Sequence, residues 1–248
     1  MPPSPIVLYP LTLLGLLHHT LITQSSTTST TLIICSSRET FLQDLLQSLQ
    51  QNRSDDEDQD STLQDLATPS LHNLFTTRHI KLAFCASVQA LLAYLTAYGR
   101  EGLTHSVEGQ AKPRLFLVNA LALHAPTPSF SAQGLSRAFA AATETALNTN
   151  ALLCVVECQV KLRKAENDDY EDTNMSNADE NDQVSEKSEG ERDPWEQEVS
   201  ILNVSSRRFG SNSGERAWAG RTVKTRSIAE RWFLFQELDA NKTREGLG

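Results

Sequence analysis

The chain has 248 residues, 39% of them apolar, and a formal charge of −9, which is enough for one domain of ordinary size or slightly more. Fourteen acids fall between Glu166 and Glu198 against only Lys187 and Arg192, a local charge of −12 that leaves +3 for the rest. The overall acidity therefore excludes no polyanionic partner. The four cysteines, with no Cys-x-x-Cys among them, read as buried free thiols of a reducing compartment and exclude a secreted disulfide framework.

From Ile6 to Ile22 the chain is apolar, but Pro10, Gly15, His18 and His19 interrupt it and no cationic stretch precedes it. It is also short for a bilayer, so no membrane anchor is expected. Pro10 followed by Leu-Thr-Leu-Leu-Gly-Leu-Leu-His-His-Thr-Leu-Ile predicts a buried helix with the proline near its start. Met1-Pro2-Pro3 leaves little room for a strand before it. Thr31 to Cys35 is a short, fully apolar β run. Ser36-Ser37-Arg38-Glu39 is a helix start, and Phe41, Leu42, Leu45, Leu46 and Leu49 recur at 3.6-residue spacing behind it.

An acidic loop spans Gln50 to Asp60, and a helix is expected around Leu63 to Phe75. Ile80 to Cys85 is the next strand, Ser87 to Tyr98 the next helix, and Arg114 to Asn119 a third apolar strand. Phe130 to Leu147 predicts an amphipathic helix and Ala151 to Cys158 a fourth β run. Continuous apolar runs, as opposed to alternating ones, indicate strands buried on both faces. The expected class is therefore α/β: three layers around a mostly parallel central sheet, with residues 1–160 as the core. Residues 161–197 form an acidic insert without a core of its own. Residues 198–240 close the same domain: Glu198–Val204 and Arg231–Phe235 read as two strands of a C-terminal antiparallel hairpin.

Phosphate chemistry in such a domain needs a Gly-rich loop with a Lys and a Ser/Thr, together with an Asp at a strand tip to hold magnesium. No G-x-x-x-x-G-K-[ST] occurs, and Lys81 is the first lysine. Asn119 stands at the tip of the Arg114 strand and reads as a degenerate metal position, because a neutral ligand lacks the charge that holds magnesium. No cofactor, no metal and no catalytic residue are expected unless a phosphate loop precedes the chain. His18, His19 and His124 read as packed imidazoles, and Ser36-Ser37 as a helix cap, since no G-x-S-x-G surrounds them.

The positive signal lies in "SSRRFGSNSGERAWAGRTVKTRSIAERWFLF". There Arg207, Arg208, Arg216, Arg221, Lys224 and Arg226 interleave with Phe209, Trp218 and Trp232. Cations and aromatics on one loop suit phosphate contact and base stacking in single-stranded nucleic acid. Arg207, Arg208, Arg216, Trp218, Arg221, Lys224 and Arg226 are the candidate binding residues. An exposed hairpin whose cations face water or pair with the acidic insert is the plainer alternative.

The order of elements from Pro10 to Leu238 resembles the RecA-type recombinase core in the shortened form of recombinase paralogues. "TLIICSS", "HIKLAFCAS", "RLFLVNALALH" and "ALLCVVECQ" stand where that family has successive strands, Asn119 at its magnesium-Asp strand and Gln159 at the end of its sensor strand. The layout is similar to the small paralogues that pair with a SWIM-domain protein in the Shu complex. The resemblance implies a non-catalytic nuclear subunit that assists homologous recombination and double-strand break repair. Its partners would be single-stranded DNA and a SWIM-domain protein or another recombinase paralogue, in a hetero-oligomer. The RecA-like, loop-less subunits of the Elongator complex, which serve tRNA wobble uridine modification, are the rival resemblance.

Overall fold

A computed structural model describes residues 4–25, 27–52, 71–102, 111–159, 193–201 and 221–238. The chain opens with a strand, β1 (Ile6–Leu11), and passes directly into α1 (Leu13–Thr23). This corrects the reading of one helix starting near Pro10. Ile6, Val7, Leu8 and Tyr9 favour extended backbone. Pro10 is tolerated in the strand because the register to the neighbouring strand shifts between Leu8 and Leu11.

There follow β2 (Thr30–Ile34), α2 (Arg38–Asn52), α3 (Leu71–Thr77), β3 (Ile80–Phe84), α4 (Val88–Gly102), β4 (Arg114–Val118), the short α5 (Ala120–His124), α6 (Ala132–Asn148) and β5 (Leu152–Cys158). Of the helix expected over 63–75, residues 63–70 lie outside the described residues, and α3 carries the remainder two residues further. The described chain resumes at Asp193 with a 3-10 turn (Pro194–Glu196), β6 (Glu198–Ser200), β7 (Thr222–Lys224), α7 (Thr225–Ala229) and β8 (Leu234–Glu237). Among the described residues no helix is long and apolar enough to cross a membrane.

Six strands form one sheet in the order β3-β2-β4-β5-β1-β8, and every neighbouring pair is parallel. The apolar runs split by parity, as strand geometry requires. Val7, Ile33, Leu115, Leu117, Leu153 and Val155 face one core with α4, α5, α6 and α7. Leu8, Leu32, Ile34, Phe116, Val118 and Val156 face a second core with α1 and α2. Helices thus cover both faces, giving the three-layer α/β arrangement, consistent with a RecA-like domain.

The closing segment pairs differently from its sequence reading. The antiparallel hairpin is β6 with β7, a separate two-stranded sheet. The segment expected as its second strand instead turns at Arg231-Trp232, buries Phe233, and adds β8 to the main sheet parallel to β1. The cause is α7, which reverses the chain between β7 and β8. Trp195 was assigned to the acidic insert, yet it is 1% exposed and packs edge-on to Phe235 at 5.2 Å, so the residues after Asp193 belong to the folded core. All four cysteines are free thiols.

Candidate functional site

In open α/β sheets ligands bind outside the carboxyl ends of the strands, where neighbouring strands send their connections to opposite faces. That condition is met between β1, which continues into α1 in the second core, and β5, whose chain continues towards Trp195 and α7 in the first. The residues at this crevice are Leu11 and Thr12, Asn119 at the tip of β4, and Glu157, Cys158 and Gln159 at the end of β5.

The β1–α1 connection is a single residue. Thr12 caps the helix, its Oγ1 accepting from Gly15 N at 3.1 Å while its carbonyl accepts from Leu16 N at 2.9 Å. Thr12 thus takes up the Gly15 N–H at the helix start with its own side chain. A Cβ on Gly15 would lie 3.2 Å from Thr12 Oγ1 and 3.3 Å from Leu11 Cδ2, so the turn is already filled. The Leu11 carbonyl accepts from Gln159 N at 2.8 Å, tying the tip of β1 to the residue after β5.

Asn119 holds a left-handed conformation at φ 60°, ψ 40°, a region that Asn tolerates better than most residues. Its N–H donates to the Val156 carbonyl and its Oδ1 accepts from Cys158 N, both at 2.8 Å. The Asn119 side chain, expected at a degenerate metal position, thus clamps β4 to β5. Among the described residues no group of three His, Cys, Asp or Glu could hold a metal ion.

Sequence reasoning passed over Glu157, the one charged residue inside "LLCVVEC". It is 4% exposed, and its carboxyl accepts from Leu121 N at 2.7 Å and faces Ala122 N at 3.5 Å, at the start of α5. Burial pushes its pKa up to about 8, against the opposing pull of the Leu121, Ala122 and Ala120 N–H groups, so the acid is largely neutral at pH 7. A lone acid in an otherwise apolar strand was the available signal.

The Cys35 thiol, at the end of β2, is pushed up by burial and then by Glu157 and Cys85. Burial likewise raises Cys85, Cys154 and Cys158, the last to about 12, which makes all four poor nucleophiles. His124 is fully buried with Nδ1 2.7 Å from the Ala120 carbonyl, and burial lowers its pKa. These groups do not form a nucleophile–base pair.

Of the candidate nucleic-acid residues, Arg207, Arg208, Arg216 and Trp218 lie outside the described residues. Arg221 is exposed at the hairpin end, its carbonyl accepting from Ile201 N at 3.1 Å. Lys224 on β7 is paired with Glu196. Arg226 on α7 is paired with Glu230 at 3.0 Å, and its guanidinium lies 4.7 Å from the Phe235 ring centre and 5.6 Å from that of Tyr9. Beside them Phe130, Asp193, Glu196, Gln197 and Glu198 line an acidic depression. Two of the three described candidates are thus engaged with their own chain. No family model matches this chain, and no curated protein matches it.

Proposed function

We propose that this chain is a non-catalytic, RecA-like subunit of the recombinase-paralogue type. In this reading it works in the nucleus, pairs with a SWIM-domain protein or another paralogue, and assists homologous recombination at single-stranded DNA. The observation that carries the reading is the β1–α1 junction. Where a phosphate loop would present a row of free backbone N–H groups, Thr12 alone connects strand to helix and caps Gly15 itself. A parallel sheet covered on both faces, with its nucleotide position closed, is suited to act through its surfaces.

The test is deletion of the gene in its own cells, with two readouts. Sensitivity to double-strand-break agents with normal tRNA wobble modification is the expected outcome. Loss of wobble uridine modification with normal break repair would overturn the reading in favour of an Elongator-type role. In parallel, the purified full-length chain is expected to show no ATP turnover above a no-protein control, and turnover abolished by Thr12→Ala would remove the scaffold assignment.

A further inference from the structure

Two groups of the described cations differ in their pairing. In the C-terminal hairpin and α7, Lys224 and Arg226 are neutralised by Glu196 and Glu230. At the opposite end of the main sheet, Arg78, Lys81 and Lys112 are exposed and take part in no ion pair among the described residues. The pairing of β2, β3 and β4 brings these scattered residues together. Thr31 sits opposite Lys81, and Thr30 opposite Arg114, so the two strand starts flank β2 about 10 Å apart across two strand spacings, with Lys81 on the first-core side of the sheet and Arg114 on the second. The His79 carbonyl accepts from Thr30 N, and Arg114 N donates to the Ser29 carbonyl, which fixes both flanks to the Ser/Thr turn before β2.

The stretches that carry these cations hold no Asp or Glu over residues 66–100 or 109–143, and the nearest acids in sequence are Asp65, Glu101 and Glu108. His19 reports the same field. Its pKa is lowered by burial first, and then by the charges of Arg114 and His18. Arg114 is held in place by Nη1 bonds to the carbonyl and Oγ1 of Thr23, both 2.9 Å. Next to the cations stands Phe75, on the last turn of α3, three residues before Arg78 and 61% exposed. An exposed aromatic ring beside cations that form no ion pair among the described residues, with Thr27 and Ser29 exposed nearby, matches what a flexible polyanion with flat bases requires.

We propose that the amino end of the central sheet is a binding face for single-stranded nucleic acid. Arg78, Lys81 and Lys112 contact the phosphates, and Phe75 stacks a base. This face lies apart from the hairpin cations expected from sequence. The inference rests on the proposed function only in taking DNA as the client strand.

The experiment uses the purified full-length chain and fluorescence anisotropy of a labelled oligothymidylate of about 20 nucleotides, titrated at several salt concentrations. The combined Arg78→Ala, Lys81→Ala and Lys112→Ala variant is expected to bind at least tenfold more weakly at low salt. The slope of log affinity against log salt should fall by about 2, as three single-strand phosphate contacts predict. Phe75→Ala is expected to lose affinity by roughly tenfold with the slope unchanged, because stacking releases no counterions. Arg221→Ala serves as the hairpin control and is expected to leave both readouts near wild type. All variants change exposed side chains, and their melting curves verify folding.

Oligouridylate is expected to bind comparably, since neither phosphate contact nor stacking reads the 2′-hydroxyl. Unchanged binding by a folded triple variant overturns the inference, as does a wild-type chain that binds no oligonucleotide. Polyglutamate competing as well as oligothymidylate, with Phe75→Ala without effect, assigns the face to an acidic protein segment and overturns the nucleic-acid identity. None of these failures touches the break-repair phenotype, so the two readings fail separately.

Discussion

The two ends of the central sheet differ in how they treat charge. At the carboxyl end the polar groups are turned inward and spent on the fold. Thr12 caps α1, Asn119 clamps β4 to β5, Glu157 takes up the first N–H groups of α5, and Gln159 fastens β5 to β1. At the amino end, Arg78, Lys81 and Lys112 stand exposed and form no ion pair among the described residues. In a nucleotide-handling domain of this architecture the anion binds at the carboxyl end. Here Thr12, Asn119, Glu157 and Gln159 bind their own chain at that end, and the proposed anion-binding face lies at the other.

The largest expected effect tests the carboxyl end. Glu157→Ala removes a fully buried side chain and leaves the Leu121 N–H without its acceptor, combining a cavity with a lost buried hydrogen bond. The expected cost is about 2–4 kcal/mol in chemical denaturation. Glu157→Gln keeps an acceptor oxygen and isolates the titration. The folded pKa of about 8 lies above the ordinary value of 4.5, so the folded chain holds this proton more tightly than the unfolded one. Its contribution is complete below pH 4.5, declines as pH rises and is lost on passing about 8. His124 acts in the opposite sense: its lowered pKa withdraws stability as pH falls below 6.5. Wild type is therefore expected to lose melting temperature as pH rises from about 6.5 to 8, and Glu157→Gln to flatten that limb alone. A wild-type curve already flat there would mean that Glu157 is ionised at neutral pH.

A smaller effect is expected at Asn119. Asn119→Ala places a side chain without acceptor at φ 60° and leaves Cys158 N unpaired, for a loss of about 1–3 kcal/mol. Asn119→Asp retains an acceptor for that N–H and is expected to lose less. Magnesium should not raise its melting temperature, because Asn119 has no neighbouring ligands among the described residues. A magnesium-dependent rise of several degrees would reopen the metal site.

What was legible in the sequence follows the same division. The parallel sheet could be read because strands covered on both faces must be continuously apolar, as Leu32–Ile34 and Leu115–Val118 are. The first strand escaped because "IVLYPL" runs into "TLLGLLHH" with one residue between strand and helix, leaving no polar loop to separate two apolar elements. Trp195 was hidden by fourteen acids around it. The cationic cluster from Arg207 to Arg231 was visible because it is contiguous. The amino-end cations, from Arg78 to Lys112, become neighbours only when β2 pairs with β3 on one side and β4 on the other. Contiguity marked a cluster in which the fold pairs Lys224 and Arg226, and it missed Arg78, Lys81 and Lys112.

The smallest effect sharpens the contrast from the hairpin side. Lys224 is exposed and paired with an equally exposed Glu196, and such pairs add little stability because water screens them and two long side chains must be held still. Lys224→Ala is expected to leave the melting temperature within about 1 °C of wild type. Its effect on oligonucleotide affinity separates the two ends more sharply than its effect on stability. A cation already neutralised at contact distance releases few further counterions, so its removal should barely alter the salt slope, whereas Lys81→Ala should lower it by about 0.7. Equal slopes for the two single variants would mean that the Glu196 pair opens on binding, and that the hairpin and the amino end share the polyanion.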